Sequence, residues 1–199
     1  MKLRRSRLPG PLPQRGALLL ESLVAILISA FGLLGFAALQ ARSAAAEFES
    51  YQRSQALVLI EGMANRLSAN RANAAAYVTA GLIGAGAIAD CATLTGANLD
   101  LCEWANLLRG SAESRGGVKI GSMLGARGCI SKPTSATDRY VIAVTWQGIV
   151  RTGAPASPCG AGDAAFPTAA LRRVVSSVVC VGSLTDPVVV PSAPSAPRC

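Results

Sequence analysis

Histidine is absent from this sequence of 199 residues. Histidine is the commonest general base, the usual partner of serine and cysteine nucleophiles, and a frequent zinc ligand. Its absence argues against most hydrolytic enzymes and most zinc proteins. We therefore expect no catalytic site, no metal site and no cofactor.

The sequence also has little net charge once its first 16 residues are set aside. Five of its 19 lysines and arginines lie before Gly16, which leaves 14 basic against 11 acidic residues. Basic residues ahead of an apolar run mark the cytoplasmic flank of a membrane segment. The positive charge therefore indicates topology, and we expect no nucleic-acid partner.

No pair of cysteines has the C-x-x-C spacing typical of zinc sites and dithiol redox centres. The six cysteines all lie beyond residue 90. An even number of cysteines downstream of a membrane segment favours disulfides in an oxidising compartment. The disulfide candidates are Cys91, Cys102, Cys129, Cys159, Cys180 and Cys199. Cys91 is expected to pair with Cys102, and Cys129 with either Cys159 or Cys180.

The distribution of charged, apolar and proline residues divides the chain into four parts. Residues 1–16 are basic and contain three prolines, so they are predicted to be a leader peptide in the cytoplasm. Residues 17–40 are apolar over a length that crosses the bilayer as a helix. Residues 41–73 continue that helix with one apolar face, and residues 74–199 form a globular domain with disulfides.

The predicted helix runs from Ala17 to about Ala72, because no proline interrupts it and glycines are few. Its second half is amphipathic, with charged side chains on the face opposite the apolar one. Glu49 and Arg53 are placed on that charged face at i, i+4 spacing. The face predicted to pack on the domain consists of Phe48, Tyr51, Leu59, Met63 and Leu67.

The globular part is predicted to contain a short helix at Leu101–Leu108 and two strands. Residues from Tyr140 to Gly148 alternate in polarity, and Leu171–Val181 is rich in β-branched residues. The 22 residues between the strands contain three prolines and form a long loop. Further edge strands are expected around Ile130 and at Val188–Val190. The fold class is therefore α+β, a long N-terminal helix packed on a small antiparallel sheet.

Several conspicuous side chains receive structural interpretations. Trp104 and Trp146 are predicted to be core residues rather than a ligand platform. Asp90, Asp100 and Glu103 could form an acidic cluster or a calcium site, but they are interpreted as solvated charges, because no calcium-binding loop surrounds them. Arg172 and the adjacent Arg173 are predicted to discourage pairing at a sheet edge, with a contact to an acidic neighbouring subunit as the alternative.

The stretch Arg15-Gly16-Ala17-Leu18-Leu19-Leu20-Glu21, followed by the apolar helix, resembles the class III signal of type IV prepilins. A carboxylate within a membrane span costs about 3 kcal/mol, so Glu21 requires a cationic partner. The resemblance implies cleavage between Gly16 and Ala17 by a prepilin peptidase and N-methylation of Ala17. It also implies that Glu21 pairs with the new amino terminus of a neighbouring subunit and sets the register between subunits. Ala17 departs from the phenylalanine that is usual in the family.

Shorter motifs resemble one branch of that family, the minor pilins described as type IV pilus modification protein PilV. They include Glu61-Gly62-Met63-Ala64-Asn65-Arg66-Leu67, Cys102-Glu103-Trp104, Gly128-Cys129-Ile130, Val144-Thr145-Trp146-Gln147-Gly148 and Arg172-Arg173-Val174-Val175. The resemblance implies a low-copy structural subunit of the pilus. Its partners would be the prepilin peptidase, the inner membrane and, through the N-terminal helix, other minor pilins and the major pilin. The globular domain would lie in the periplasm and later on the pilus at the cell surface.

Two other functions fit parts of this pattern. A minor pseudopilin of a type II secretion system would share the leader, the helix and the sheet. A membrane-anchored periplasmic enzyme or binding protein with an uncleaved span would share only the anchor, and the absence of histidine argues against the enzyme. A mature N-terminus at Ala17 would favour the pilin or pseudopilin, whereas an intact Met1 would favour the anchor.

Overall fold

The structure is a computed structural model that describes residues 17–111, 114–115, 118–119, 123–133 and 138–182. Gly16, Cys199 and Val188–Val190 lie outside the described residues, so the predictions made for them remain predictions. The chain divides into two compact units, Met1–Ala44 and Ala45–Cys199.

Helix α1 runs from Ala17 to Ala69. It ends three residues before the predicted boundary, because the backbone at Asn70 leaves the helical region with φ −105° and ψ 41°. A 3-10 helix at Arg71–Tyr77 follows, with a second departure at Asn73. Asparagine side chains compete with helical backbone hydrogen bonds, which accounts for the end of the helix at this point.

The main sheet has three antiparallel strands, β3 (Arg127–Ser131), β4 (Arg139–Gln147) and β5 (Arg172–Cys180), in that order. Strands β1 (Ser114–Arg115) and β2 (Val118–Lys119) form a separate two-stranded ribbon. A long helix with a small antiparallel sheet confirms the predicted α+β fold. The strand predicted around Ile130 is β3.

Helix α2 spans Gly96–Leu108, five residues longer at its start than predicted. Its Trp104 is 1% exposed and donates its indole N–H to the carbonyl of Leu59 on α1 at 2.9 Å. Gly128 of β3 gives the indole room, since a Cβ there would lie 2.3 Å from Cζ3 of Trp104. The prediction that Trp104 and Trp146 are core residues agrees with their burial.

The buried face of α1 differs from the predicted face in its first two turns. Phe48 and Tyr51 are 43% and 44% exposed, whereas Met63 and Leu67 are fully buried as predicted. The residues of α1 that enter the core are Gln52, Ala56, Ile60, Met63 and Leu67. They recur at intervals of three or four residues and therefore lie on one side of the helix. Phe48 and Tyr51 lie on another side, so the apolar pattern of the sequence contains two faces that the prediction merged.

Candidate assembly interface

The N-terminal part of α1 exposes an apolar surface. By length and composition this helix is able to cross a membrane. Its exposed large apolar side chains before residue 40 are Leu18, Leu19, Leu20, Leu23, Val24, Ile26, Leu27, Ile28, Phe31, Leu33, Leu34, Phe36 and Leu39. These residues cover all sides of the helix, which is typical of a segment surrounded by lipid or by other apolar helices.

Glu21 is the acidic side chain of this segment, and it is exposed in the second turn of α1. Within the described residues Glu21 forms no ion pair. The neighbouring polar side chains are satisfied locally, because the hydroxyls of Ser22 and Ser29 donate to carbonyls of the preceding turn at 3.0 and 2.8 Å. Ala17, the expected new amino terminus, is the first residue of α1. An apolar environment would leave Glu21 in need of a cation from another molecule.

Two glycines, Gly32 and Gly35, lie inside the apolar segment. A Cβ added at either position would meet no atom within 4 Å. Glycine costs about 1 kcal/mol relative to alanine in a helix interior, and no contact within the described residues requires it here. Small residues of this kind allow close approach between helices in membranes.

Glu49 joins α1 to the loop that precedes β5. One carboxylate oxygen, Oε1, accepts the backbone N–H groups of Ile149 and Val150 at 3.1 Å each and the Nη2 of Arg173 at 2.9 Å. These partners lie 100 to 124 residues downstream of Glu49. The predicted i, i+4 pairing of Glu49 with Arg53 is therefore replaced by a contact between distant parts of the chain.

The charges around Glu49 favour its ionised form. Partial burial alone raises the pKa of Glu49, but the N–H of Val150 and the guanidinium of Arg173 outweigh it and hold the pKa below its ordinary value of 4.5. Arg173 also donates to the hydroxyl of Thr152 and to the carbonyls of Ala170 and Val150. Arg173 was predicted to discourage edge pairing, with a contact to an acidic neighbouring subunit as the alternative. In the structure its acidic partner is Glu49 of the same chain, and its hydrogen bonds connect α1 and the loop before β5 to β5.

Arg172, the first residue of β5, has a different role from that of Arg173. Its guanidinium is buried and donates to the carbonyls of Ser157 and Cys159 at 2.8 and 2.7 Å, and to that of Pro155 at 3.2 Å. A buried guanidinium with several carbonyl acceptors stabilises a loop that has few backbone hydrogen bonds of its own. Arg172 therefore stabilises the loop through its buried guanidinium. It does not act by discouraging the pairing of another strand with the sheet edge, as was predicted.

A second ionic cluster joins the end of α1 to α2. The Nη1 of Arg66 lies 2.9 Å from Asp100 Oδ1 and 2.5 Å from Glu103 Oε2, and the hydroxyl of Tyr77 donates to Asp100. Glu103, and to a smaller extent Asp100, raise the pKa of Arg66, while burial and then the bond to Asp100 raise the pKa of Tyr77. Asp100 and Glu103 are therefore ion-pair partners, and the interpretation of both as solvated charges was wrong.

The cysteines of the described residues are all in disulfides. Cys91 pairs with Cys102 and Cys129 with Cys159, with Cα–Cα distances of 5.8 and 5.9 Å. Cys180 is disulfide-bonded as well. The first bond attaches the loop before α2 to α2, and the second attaches β3 to the loop that Arg172 holds. Cys91–Cys102 is the predicted pair, and Cys129 takes Cys159, which is one of the two partners that were predicted for it.

The described residues contain no group of three or more Cys, Asp or Glu side chains arranged to hold a metal ion. Besides the ion pairs above, the Nε of Arg127 lies 3.6 Å from Oδ2 of Asp163. Among the described residues, the exposed apolar part of α1 with Glu21, Gly32 and Gly35 is the feature that we take as the candidate functional surface.

The comparisons with known proteins agree with this picture. The family model Tt1218-like, type IV pilin Tt1218, matches residues 38–113. No curated protein and no solved structure matches the chain. The matched stretch contains the second half of α1, the first disulfide and α2. The matched family consists of pilins, which are structural proteins. An apolar N-terminal helix is compatible with membrane anchoring and a place in a pilus, so the match and the fold together support a type IV pilin-like protein.

Proposed function

We propose that this chain is the precursor of a minor type IV pilin, a non-catalytic subunit that enters the pilus through helix α1. The observation that carries the proposal is the apolar segment of α1, exposed on all sides, with the carboxylate of Glu21 near its start. A charged group there is tolerated only if the assembled state supplies a cation. The pilin family match over residues 38–113 supports the same conclusion independently of that segment.

The proposed sequence of events begins with insertion into the inner membrane, with residues 1–16 in the cytoplasm and the domain after residue 74 in the periplasm. Prepilin peptidase cleaves between Gly16 and Ala17, and the amino group of Ala17 is methylated. The free amino terminus carries a positive charge at neutral pH. In a filament it lies close to Glu21 of a neighbouring subunit, and the pair favours one axial stagger between helices.

The resemblance to the PilV branch makes a minor subunit the proposed assignment within the pilins. A minor pilin takes part in priming assembly or in the tip complex together with other minor pilins, and supports adhesion or motility through the fibre. The domain from residue 74 onward is then the part exposed at the cell surface.

N-terminal sequencing and cell fractionation test this function. Protein recovered from the membrane is expected to begin at Ala17, and a small fraction of it is expected in sheared pili. A mature protein that retains Met1 would contradict the precursor assignment. Correct processing without any protein in pili, but with a secretion defect in the deletion strain, would assign the chain to a secretion system instead.

A further inference from the structure

A cavity of about 360 Å³ lies between the second half of α1 and the sheet. Helix α1 lines it with Glu49, Ser50 and Arg53, and the sheet lines it with Trp146, Arg173 and two valines of β5. Small-molecule sites in proteins have volumes of about 300–1,000 Å³. This cavity is therefore large enough for a ligand the size of an amino acid or a monosaccharide.

Trp146 supplies a buried hydrogen-bond donor to the cavity. Trp146 is 3% exposed, and among the described residues its indole N–H has no acceptor. The N–H of Trp104, by contrast, is bonded to the carbonyl of Leu59. A buried donor without an acceptor is unfavourable, and buried polar groups in folded proteins are nearly always paired. A ligand that places an acceptor in this cavity would satisfy the N–H of Trp146.

Arg53 supplies a cation that the fold leaves unused. It is exposed, and its guanidinium forms no ion pair or hydrogen bond within the described part of the chain. The charge of Glu49 is already paired, because its Oε1 lies 2.9 Å from Nη2 of Arg173. Arg173 in turn uses both of its Nη atoms within the fold. The charge left uncompensated at the cavity is therefore positive.

We propose that this cavity binds the carboxylate of a small organic acid, which is recognised by the guanidinium of Arg53 and the indole N–H of Trp146. A guanidinium matches the planar carboxylate in charge and geometry, and the indole N–H adds a second donor. Val174 and Val175 form an apolar part of the wall, which favours an organic acid over inorganic phosphate or sulfate. Acylated amino acids and uronic acids both carry such a carboxylate, and the experiment distinguishes them.

The test uses the full-length protein in detergent micelles, with ¹⁵N at the indole nitrogen of its two tryptophans. The NMR spectrum then contains two indole signals, and Trp146→Phe identifies the signal of Trp146. Trp104 is the internal control, because its N–H is already bonded to Leu59. The probes are N-acetylglycine and galacturonate, each compared with its neutral counterpart, N-acetylglycinamide and galactose.

At least one of the two acids is expected to move the Trp146 signal in a saturable way, with a dissociation constant on the order of 1 mM. Its neutral counterpart is expected to bind at least about tenfold more weakly, because it lacks the charge that Arg53 recognises. The Trp104 signal is expected to stay in place. The acid that binds more tightly identifies the class of ligand. No movement with either acid, or equal affinity for acid and neutral counterpart, would overturn the proposal.

Arg53→Gln tests the cation, with Arg71→Gln as the matched control. Both arginines are exposed and neither forms an ion pair among the described residues, but Arg71 lies outside the cavity. Arg53→Gln is expected to weaken binding of the tighter acid about tenfold, and Arg71→Gln by less than about twofold. An unchanged melting temperature of Arg53→Gln would show that the loss is not due to unfolding. Equal affinity of the two variants would overturn the proposal, and because binding is measured on the isolated protein, that result would leave the proposed function in pili untouched.

Discussion

Removal of the Glu49 carboxylate is expected to destabilise the domain, because its Oε1 atom accepts three hydrogen bonds. In Glu49→Ala the Nη2 of Arg173 loses an acceptor at 2.9 Å, and the N–H groups of Ile149 and Val150 lose theirs at 3.1 Å. A hydrogen bond to a charged group contributes about 1.5–3 kcal/mol. The two N–H groups lie in exposed loop residues and regain water, so they contribute about 0.5 kcal/mol each.

These contributions are opposed by the helix propensity of alanine, which offsets a few tenths of a kcal/mol. The net loss is expected to be about 2–3.5 kcal/mol in the free energy of unfolding. For a domain of this size, that loss lowers the melting temperature by roughly 4–14 °C. The remaining bonds of Arg173 to Thr152 and Ala170 limit the damage, since the guanidinium keeps acceptors after the carboxylate is gone.

The assay is urea denaturation of the fragment from residue 41 onward, followed by circular dichroism at pH 7 and pH 3.5. Glu47→Ala is the matched control, because Glu47 is an exposed glutamate two residues away on α1 and forms no ion pair among the described residues. It gains the same helix propensity and loses no described contact. A double-mutant cycle with Arg173→Met isolates the ion pair itself.

The pH dependence follows from the lowered pKa of Glu49. A carboxyl group whose pKa falls on folding stabilises the folded state above its unfolded value of about 4.5 and loses that contribution as the pH falls through the folded pKa. The difference between wild type and Glu49→Ala is therefore full at pH 7 and shrinks below about pH 4.5. Equal stability of Glu49→Ala and Glu47→Ala at pH 7 would refute the reasoning.

Four further results are expected. If the proposed cleavage occurs, Gly16→Phe leaves the precursor uncleaved on immunoblots, because a bulky residue would not fit where the proposed signal has glycine, and a product starting at Ala17 would contradict this. Glu21→Ala is inserted and cleaved like the wild type but is largely missing from sheared pili, whereas equal incorporation would show that the carboxylate does not direct assembly. Gly128→Ala destabilises the domain by about 3 kcal/mol in urea denaturation, because its Cβ would overlap Trp104, and a loss below about 0.5 kcal/mol would contradict the packing described. Alkylation followed by mass spectrometry finds no reactive thiol in the native protein before reduction, and labelling of more than one cysteine would refute the disulfide framework.

The sequence is a good guide to the elements of this fold and a poor guide to their contacts. Strand β4 follows from a period-two pattern and β5 from its β-branched residues. The long helix follows from an apolar run, an amphipathic second half and the scarcity of proline and glycine. All of these signals are local. The face of α1 was predicted wrongly at Phe48 and Tyr51, because a solvated apolar stripe and a buried one produce the same signal over two turns. Only the packing of the whole domain decides between them, by burying the side of α1 that carries Gln52.

The ionic contacts were missed for a related reason. Glu49 and Arg173 are 124 residues apart, and Arg66 and Glu103 are 37 residues apart, so no spacing rule connects them. In sequence terms an i, i+4 neighbour was available for Glu49 and the local pairing was the natural choice. The candidate assembly residues Gly16, Ala17 and Glu21 were found from a motif. The structure describes only Ala17 and Glu21 of these, both in the first turns of α1, and experiments on cleavage and assembly are needed to test all three.

The separation between Glu49 and its partners also determines when the helix can dock during synthesis. At about 5–20 residues per second, Arg173 leaves the ribosome roughly 6–25 s after Glu49. The core face of α1, including Ile60 and Met63, stays uncovered for much of that time, because strands β4 and β5 are made last. The contacts between α1 and the strands join residues far apart in sequence, so they form late. Until they form, the nascent helix exposes both of its apolar faces to its surroundings for several seconds.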